Sequence, residues 1–214
     1  MPLMGFARRP ERVLCLGAHS DDIEIGCGGT VLRLIESYPC LAFRWVVFGA
    51  TGDRVQEACR AADLFLSGAG ERHISVQGFR DGFFPHHGLE IKEHFEMLKR
   101  EFAPDLIFTH YRHDAHQDHR VISELTWNTF RNHLILEYEI PKYDGDLGSP
   151  SFFVQLDPAT CAAKIEHLLN CFATQRGKHW FTADLFYAML RLRGMEANAA
   201  STFAEAFYCR KLVF

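Results

Sequence analysis

The sequence lacks the long charged and long apolar runs that mark nucleic-acid-binding or membrane-spanning chains. Its 214 residues carry a formal net charge of -4 without a long run of lysine or arginine, which argues against a surface for nucleic acid. The apolar run that follows Arg12 spans only residues 13–18. Such a run is too short for a signal peptide or a membrane span, so the sequence predicts a cytoplasmic protein.

Paired cysteines are also missing. The seven cysteines are scattered, and no CxxC pair occurs, which disfavours a thiolate zinc site or a disulfide framework. Cys15, Cys59, Cys161 and Cys171 lie at apolar periodic positions, where cysteine usually serves as a small buried hydrophobic residue. Cys27 lies in a glycine-rich segment, but no basic residue adjoins it in the sequence to activate a thiol.

No internal repeat, low-complexity segment or linker interrupts the chain, so we predict a single domain over residues 1–214. Buried-strand patterns alternate with amphipathic helical patterns. The predicted strands are 13–18, 43–48, 73–76, 105–109, 134–140, 151–156 and 203–214. The predicted helices are 30–37, 54–67, 89–102, 118–131, 158–175 and 182–193. This order predicts an α/β fold, a Rossmann-like three-layer αβα sandwich with a mostly parallel sheet.

Two polar clusters follow predicted strands directly. The first is HSDD (19–22), followed by the glycine-rich segment 26–30, which is predicted to be a turn. The second, 109–120, holds four histidines and two aspartates, namely His110, His113, Asp114, His116, Asp118 and His119. Because the carboxyl ends of parallel strands open on one edge of the sheet, we expect both clusters to line one pocket.

Histidine and aspartate converging at strand ends are typical of a divalent-metal site. Zinc takes imidazole and carboxylate ligands and keeps one position for water in catalytic sites, and two histidines with one carboxylate also suit Fe²⁺. Adjacent residues point apart, so Asp21 and Asp22 are predicted to divide two tasks. One would bind the metal, and the other would act as general base on the metal-bound water.

These motifs resemble those of the LmbE-like, PIG-L-type N-acetylglucosaminyl deacetylases. The resemblance lies in HSDD (19–22), GCGGT (26–30) and HQDHR (116–120), with weaker matches at 54–57, 79–82 and 203–207. It implies a Zn²⁺-dependent enzyme, with Fe²⁺ as the alternative. Such an enzyme hydrolyses the acetamide of a free, nucleotide-linked, lipid-linked or glycoside-linked N-acetyl amino sugar, and it releases acetate and a free amine.

The resemblance also implies roles for the first motif and its metal. His19, Asp22 and His119 would be the metal ligands, and Asp21 would be the general base. Ser20 stands where the family usually has proline.

Further roles carry over from the weaker matches and the second motif. His116 would protonate the leaving amine or stabilise the oxyanion, with Asp118 orienting its imidazole. Arg54 and Asp81 match positions that bind sugar hydroxyls. Asp114 could orient a ligand or cap its loop.

Several alternatives stay open. Ile23 stands where many family members have a glutamate, and Glu24 is one position on. His110 and His113 are interpreted as strand-end or surface histidines. The loops 139–152 and 175–181 could contact substrate or be plain loop structure, and a homo-oligomer is possible.

Other functions also remain possible. The enzyme could be an amidase that acts on a thiol-sugar conjugate or an antibiotic intermediate, or the protein could bind a nucleotide or a metal without turnover. A phosphate cradle at Gly26–Gly29 is disfavoured, because the G-x-G-x-x-G spacing is incomplete and neighbouring aspartates would repel a pyrophosphate.

Overall fold

Strands and helices alternate along residues 9–212, the part of the chain that the computed structural model describes. The strands are β1 Arg12–His19, β2 Ala42–Gly49, β3 Glu71–Val76, β4 Leu106–His110, β5 Leu134–Tyr138, β6 Phe152–Leu156 and β7 Phe203–Cys209. The α-helices are α1 Asp22–Ser37, α2 Asp53–Phe65, α3 Gly88–Glu101, α4 Gln117–Thr129, α5 Pro158–Cys171 and α6 Ala183–Glu196. None of the helices within this range is long and apolar enough to span a bilayer.

The strands form one sheet in the order β3-β2-β1-β4-β5-β7-β6. Strands β1 to β5 pair with one another in parallel, whereas β7 runs antiparallel to both β5 and β6. The prediction of a mostly parallel α/β sheet is therefore confirmed.

The sheet is buried on both faces, as alternate residues of β1 show. Val13 and Cys15 belong to the larger apolar core, to which α1, α2, α5 and α6 contribute. Leu14 and Leu16 belong to the core on the other face, to which α3 and α4 contribute. Each face of the sheet thus packs against a layer of helices, which is the predicted three-layer arrangement.

Helix α1 differs from the sequence prediction, because it begins at Asp22 and includes the glycine-rich segment that the pattern predicts as a turn. The glycines allow close packing inside this helix. A Cβ atom on Gly26 would lie 2.2 Å from the ring of Tyr138, and one on Gly28 would lie 2.6 Å from a phenylalanine ring. Glycine at these positions therefore lets neighbouring aromatic side chains pack against the helix backbone, and it does not end the helix.

A buried ion pair between Glu205 and Lys164 also forms hydrogen bonds with the backbone in the middle of α1. The carboxylate of Glu205 on β7 accepts hydrogen bonds from the backbone N–H groups of Gly29 at 2.8 Å and Thr30 at 2.6 Å. Lys164 on α5 donates to Glu205 and to the carbonyl of Ile25, both at 2.6 Å. The N–H groups that a phosphate cradle would use are thus engaged by a carboxylate, which speaks against dinucleotide binding at this segment.

We expect Glu205→Ala to destabilise the fold by about 3 kcal/mol or more, because it leaves a buried ammonium group without its counter-charge. The midpoint and slope of urea denaturation measure this loss. Glu96→Gln, which removes an exposed ion pair with Lys92 on α3, is the control and should change the midpoint little. Equal shifts for the two variants would contradict a stabilising role for the buried pair.

The C-terminal ends of the elements differ most from the predictions at α5 and β7. Helix α5 ends at Cys171 instead of residue 175, because the next residues leave the helix and Thr174 bonds to Glu57 on α2. Strand β7 ends at Cys209, and residues 213–214 of the predicted strand lie outside the described range.

Candidate metal centre

The two polar clusters meet at the carboxyl ends of β1 and β4. These strands are parallel neighbours, and they end in His19 and His110. The chain runs from β1 to β2 on one side, whereas β4 lies on the other side of β1. The clusters therefore lie at the point where the strand order reverses, which is where open α/β sheets usually bind ligands.

The three predicted metal ligands converge through one atom each. His19 Nδ1 lies 3.2 Å from His119 Nε2 and 3.3 Å from Asp22 Oδ2, and the last two atoms are 3.5 Å apart. A tetrahedral zinc ion with bonds of 2.0–2.2 Å would separate its ligand atoms by about 3.3–3.6 Å. The spacing of these buried side chains thus fits a single ion.

In His19 and His119, the ring nitrogen that does not take part in the triad lies close to a carboxylate. His119 Nδ1 lies 2.9 Å from Asp114 Oδ2, and His19 Nε2 lies 3.2 Å from Asp118 Oδ2 and 3.1 Å from Asp81 Oδ1. In metalloproteins, such an outer carboxylate fixes the ring and leaves the other nitrogen free to bind the metal. The arrangement therefore directs His119 Nε2 and His19 Nδ1 toward the shared space.

The charges of the cluster favour a cation. Burial alone would lower the pKa of His19, but Asp22, Asp118 and Asp81 outweigh it and raise that pKa well above the usual value. Burial alone would raise the pKa of Asp22, but the neighbouring histidines, His119 foremost, hold it well below its ordinary range. The donor set thus stabilises positive charge at the place where an ion would bind.

Other metal-capable groups overlap with this triad among the described residues. The first group is His19, His116 and His119. The second is His19, Asp81, His116 and Asp118. The third is Asp22, His110 and His119. His110 is a poor ligand through Nε2, because that nitrogen accepts the backbone N–H of Ala18 at 2.9 Å. Both oxygens of Asp118 already accept backbone N–H groups, those of Gly82 at 2.6 Å and Phe84 at 3.1 Å, whereas Asp22 Oδ2 accepts one, that of His19 at 2.6 Å. We therefore favour the predicted triad.

Asp21 is buried beside the triad, but its carboxylate is not among the groups spaced to bind a metal ion. The guanidinium group of Arg54 lies 3.4 Å from its carboxylate. Burial and the neighbouring Asp22 raise the pKa of Asp21, although Arg54, His19 and Lys178 act to lower it. A carboxylate with a raised pKa is better matched to general-base chemistry near neutral pH.

Arg54 and Asp81, the predicted substrate-binding residues, lie together at the edge of the cluster. Arg54 Nη1 is 3.6 Å from Asp81 Oδ2, and Arg54 Nε donates to the hydroxyl of Ser20 at 3.0 Å. The Asp81 side chain is 58% exposed, and its hydrogen bond to His19 lowers its pKa to about 2. Proline at position 20 could not accept this bond, so the departure from the family motif adds a contact.

The structure places Asp118 differently from the predicted pairing with the imidazole of His116. The Asp118 carboxylate lies against His19, and only the Asp118 backbone N–H donates to His116 Nδ1, at 3.2 Å. Burial, together with His119 and His19, lowers the pKa of the half-buried His116. Its neutral ring therefore carries the proton on Nε2, which makes that atom a hydrogen-bond donor.

Asp114 makes the contacts of both predicted roles, which are to orient a ligand and to cap its loop. One oxygen holds His119, and the other accepts the backbone N–H of His116 at 2.8 Å, which caps the loop. The first oxygen also lies 3.0 Å from the ammonium group of Lys142, which in turn lies 2.5 Å from Asp146. The sequence gives no signal for these two contacts, because Lys142 and Asp146 belong to a distant loop.

Sequence reasoning places His110 in the second cluster as a strand-end or surface histidine and assigns it no role in the site. It is fully buried, and its Nε2 lies 3.3 Å from Asp22 Oδ2, whereas His113 is exposed as predicted. Its position is the sequence feature that indicates a place in the cluster, because His110 ends its strand as His19 does.

Two buried side chains of α1 lie near the cluster without a role in it. Glu24, one position after the core residue Ile23, is fully buried, and neither of its oxygens has a hydrogen-bond partner within residues 9–212. Burial raises its pKa well above the usual value, which favours its neutral form. Burial likewise raises the pKa of Cys27, which excludes a reactive thiolate.

The fold and the cluster together define a class of protein, an α/β domain with a histidine–carboxylate cluster at the switch point of a parallel sheet. A family model described as "PIG-L: GlcNAc-PI de-N-acetylase" matches residues 14–130, which is more than half of the chain. The chain therefore belongs to the PIG-L (LmbE-like) family of deacetylases.

Individual relatives agree with this assignment. The chain is 27% identical over 150 residues to the uncharacterized deacetylase YaiS of Escherichia coli, covering 65% of this chain and 79% of YaiS. The conserved protein TT1542 from Thermus thermophilus superimposes with a TM-score of 0.73 at 23% identity, over 94% of this chain and 95% of TT1542. An inhibitor complex of N,N'-diacetylchitobiose deacetylase from Pyrococcus horikoshii gives a TM-score of 0.68 at 20% identity, over 92% of this chain and 83% of that protein. At such identities the two structures show a shared fold.

Proposed function

We propose that this protein is a zinc-dependent hydrolase that removes the acetyl group from an N-acetyl amino sugar and releases acetate and a free amine. The observation that carries the proposal is the convergence of His19 Nδ1, Asp22 Oδ2 and His119 Nε2 within 3.5 Å of one another. A divalent cation held there would polarise the acetamide carbonyl and acidify a water molecule. Two imidazoles and one carboxylate suit zinc, and Fe²⁺ is the second candidate.

Asp21 is the proposed general base. Its carboxylate is buried next to Asp22 without sharing the metal-type spacing, and Arg54 orients it from the side. It accepts a proton from the attacking water as the new carbon–oxygen bond forms. The same proton then passes to the sugar nitrogen when the carbon–nitrogen bond breaks. The second proton of the water remains on the acyl product and is then transferred to the released amine, which leaves acetate and an ammonium group.

His116 is the proposed donor to the carbonyl oxygen. Because its Nδ1 accepts the Asp118 N–H, its Nε2–H is free to donate to an oxygen on which negative charge builds. Of the two roles that the family resemblance implies for His116, oxyanion stabilisation fits this tautomer better than protonation of the amine. Asp118 would act by holding both His19 and the loop at Gly82.

Arg54 and Asp81 are the proposed contacts to the sugar. Sugar hydroxyls both donate and accept hydrogen bonds, and a guanidinium beside a partly exposed carboxylate offers both partners. Their closeness to Asp21 and His19 would hold the ring next to the reacting acetamide. A cytoplasmic location and a homo-oligomeric state remain predictions from the sequence.

The metal content and the substrate range of the purified protein test this proposal together. We expect close to one zinc per chain by mass spectrometry of the metal, and we expect primary-amine release from N-acetylglucosamine or from its nucleotide-, lipid- or glycoside-linked forms. A chelator should abolish release, and added zinc should restore it, while circular dichroism shows that the fold persists. Amine release only from thiol-sugar or antibiotic amides would favour the amidase alternative, and metal binding without any release would favour a non-catalytic module.

A further inference from the structure

The loop between β5 and β6, residues 139–151, is fastened to one side of the metal centre. Lys142 Nζ lies 3.0 Å from Asp114 Oδ2, and Asp114 holds the predicted ligand His119. Asp146 pairs with Lys142 at 2.5 Å and also accepts the backbone N–H of Ala115 at 2.6 Å. Contacts at positions 142 and 146 therefore fix the intervening turn.

The loop between α5 and α6, residues 172–182, is fastened to the other side. The N–H and the hydroxyl of Thr174 donate to the buried carboxylate of Glu57 at 2.9 Å and 2.6 Å. Glu57 lies one helical turn after Arg54 on α2, and Arg54 contacts the proposed base Asp21. This loop is thus anchored to α2, the helix whose Arg54 contacts the proposed base.

The two loops meet through one aromatic pair. The hydroxyl of Tyr143 lies 3.4 Å from His179 Nδ1, and the centroids of their rings are 5.3 Å apart. Tyr143 is 70% exposed, and His179 is exposed as well. Because Tyr143 directly follows Lys142, the pair connects the Asp114 side of the centre to the Asp21 side.

An exposed aromatic ring held in this way is suited to binding. The contacts on either side of Tyr143 remove much of the entropy that a free loop would lose when it captures a ligand. The electron-rich face of an aromatic ring attracts the slightly positive C–H groups on the flat face of a sugar and also stacks on aryl rings. Nothing in the proposed hydrolysis step uses this pair, so its place between two loops that are anchored beside the centre points to the part of the substrate beyond the reacting sugar.

We propose that Tyr143 and His179 form an outer subsite that stacks on a second ring attached to the N-acetyl sugar. The preferred substrate is then a disaccharide or an aryl-type conjugate, and the free monosaccharide is a poorer one. This inference rests on the proposed deacetylase function and narrows its substrate class.

Kinetics on N-acetylglucosamine, N,N'-diacetylchitobiose and phenyl N-acetyl-β-glucosaminide test the subsite. We expect Tyr143→Ala to lower kcat/KM for the two-ring compounds about fivefold, chiefly through KM, since a stacked aromatic contact contributes on that order. The value for N-acetylglucosamine should stay within about twofold of wild type. Tyr143→Phe, which keeps the ring, should behave like wild type, and His179→Ala should follow Tyr143→Ala.

Leu64→Ala, a truncation of a partly exposed residue at the far end of α2, is the surface control and should change nothing. An equal loss on one-ring and two-ring compounds would overturn the subsite, as would an unchanged two-ring value. Unequal losses on the disaccharide and the phenyl glycoside would show which second ring is preferred and would support the subsite.

Calorimetric binding of the same three compounds separates this inference from the proposed function. If wild type hydrolyses neither these compounds nor the nucleotide-linked and lipid-linked forms, the proposed function fails. The subsite is still supported if the two-ring compounds bind more tightly to wild type than to Tyr143→Ala, and it is rejected if they bind equally.

Discussion

Asp21→Asn is expected to reduce kcat for acetamide hydrolysis by roughly 10²–10⁴-fold, the range that a general base contributes. Asparagine keeps the shape of the side chain but cannot accept a proton from water. Zinc affinity should remain close to that of wild type, because the three converging ligand atoms come from other residues. Turnover by amine release and zinc affinity by competition with a chromophoric chelator measure the two quantities.

The pH profile gives a second signature of the same role. The base must be ionised, and the pKa of Asp21 is raised by burial and by Asp22, so wild-type kcat should fall as the pH drops through that raised pKa. The residual activity of Asp21→Asn should lack this acid limb. Glu96→Gln, which removes an exposed carboxylate of α3, is the control and should keep the acid limb. Full activity in Asp21→Asn or Asp21→Ala would show that the assignment of the base is wrong.

His119→Ala is expected to weaken zinc binding by more than about 100-fold and to abolish turnover. Loss of an outer hydrogen-bond partner typically costs 10–100-fold in metal affinity, and removal of a ligand should cost more. Asp114→Asn, which alters the partner of His119 Nδ1, should fall within that smaller range. The dissociation constant for zinc, measured without substrate, provides the comparison.

His113→Ala is the matched control for these variants. It removes an exposed histidine from the same loop and should bind zinc like wild type. The expected order of loss is therefore His113, then Asp114, then His119. Wild-type zinc affinity in the His119 variant would refute the predicted triad, and the metal-dependent function would fall with it.

The sequence alone predicts those site residues that lie in the two motifs or directly after a predicted strand. His19 and Asp22 follow a buried strand, His119 follows another, and parallel pairing of β1 with β4 brings them together. The same rule places His110 at the cluster, but a lone histidine at a strand end carries no motif that separates a core position from a site position.

Contacts between distant segments account for what the sequence does not reveal. The glycines of α1 follow the usual preference for turns, and only the ring of Tyr138 on β5 explains why Gly26 lies inside a helix. The Asp118 carboxylate turns to His19 because the N–H groups of Gly82 and Phe84 already orient it. Such choices depend on residues far away in the chain, and one sequence read segment by segment does not contain them.

The interior position of β7 bears on the order in which the protein is completed during synthesis. This strand lies between β5 and β6 and delivers Glu205 to the helix that begins at Asp22. While residues 203–209 are still inside the ribosome, β5 and β6 have no shared neighbour and Lys164 has no counter-charge. The nascent chain thus carries a partly assembled sheet with open edges, a state prone to aggregation. Consolidation of the helix that begins at Asp22 therefore awaits a segment that is translated much later.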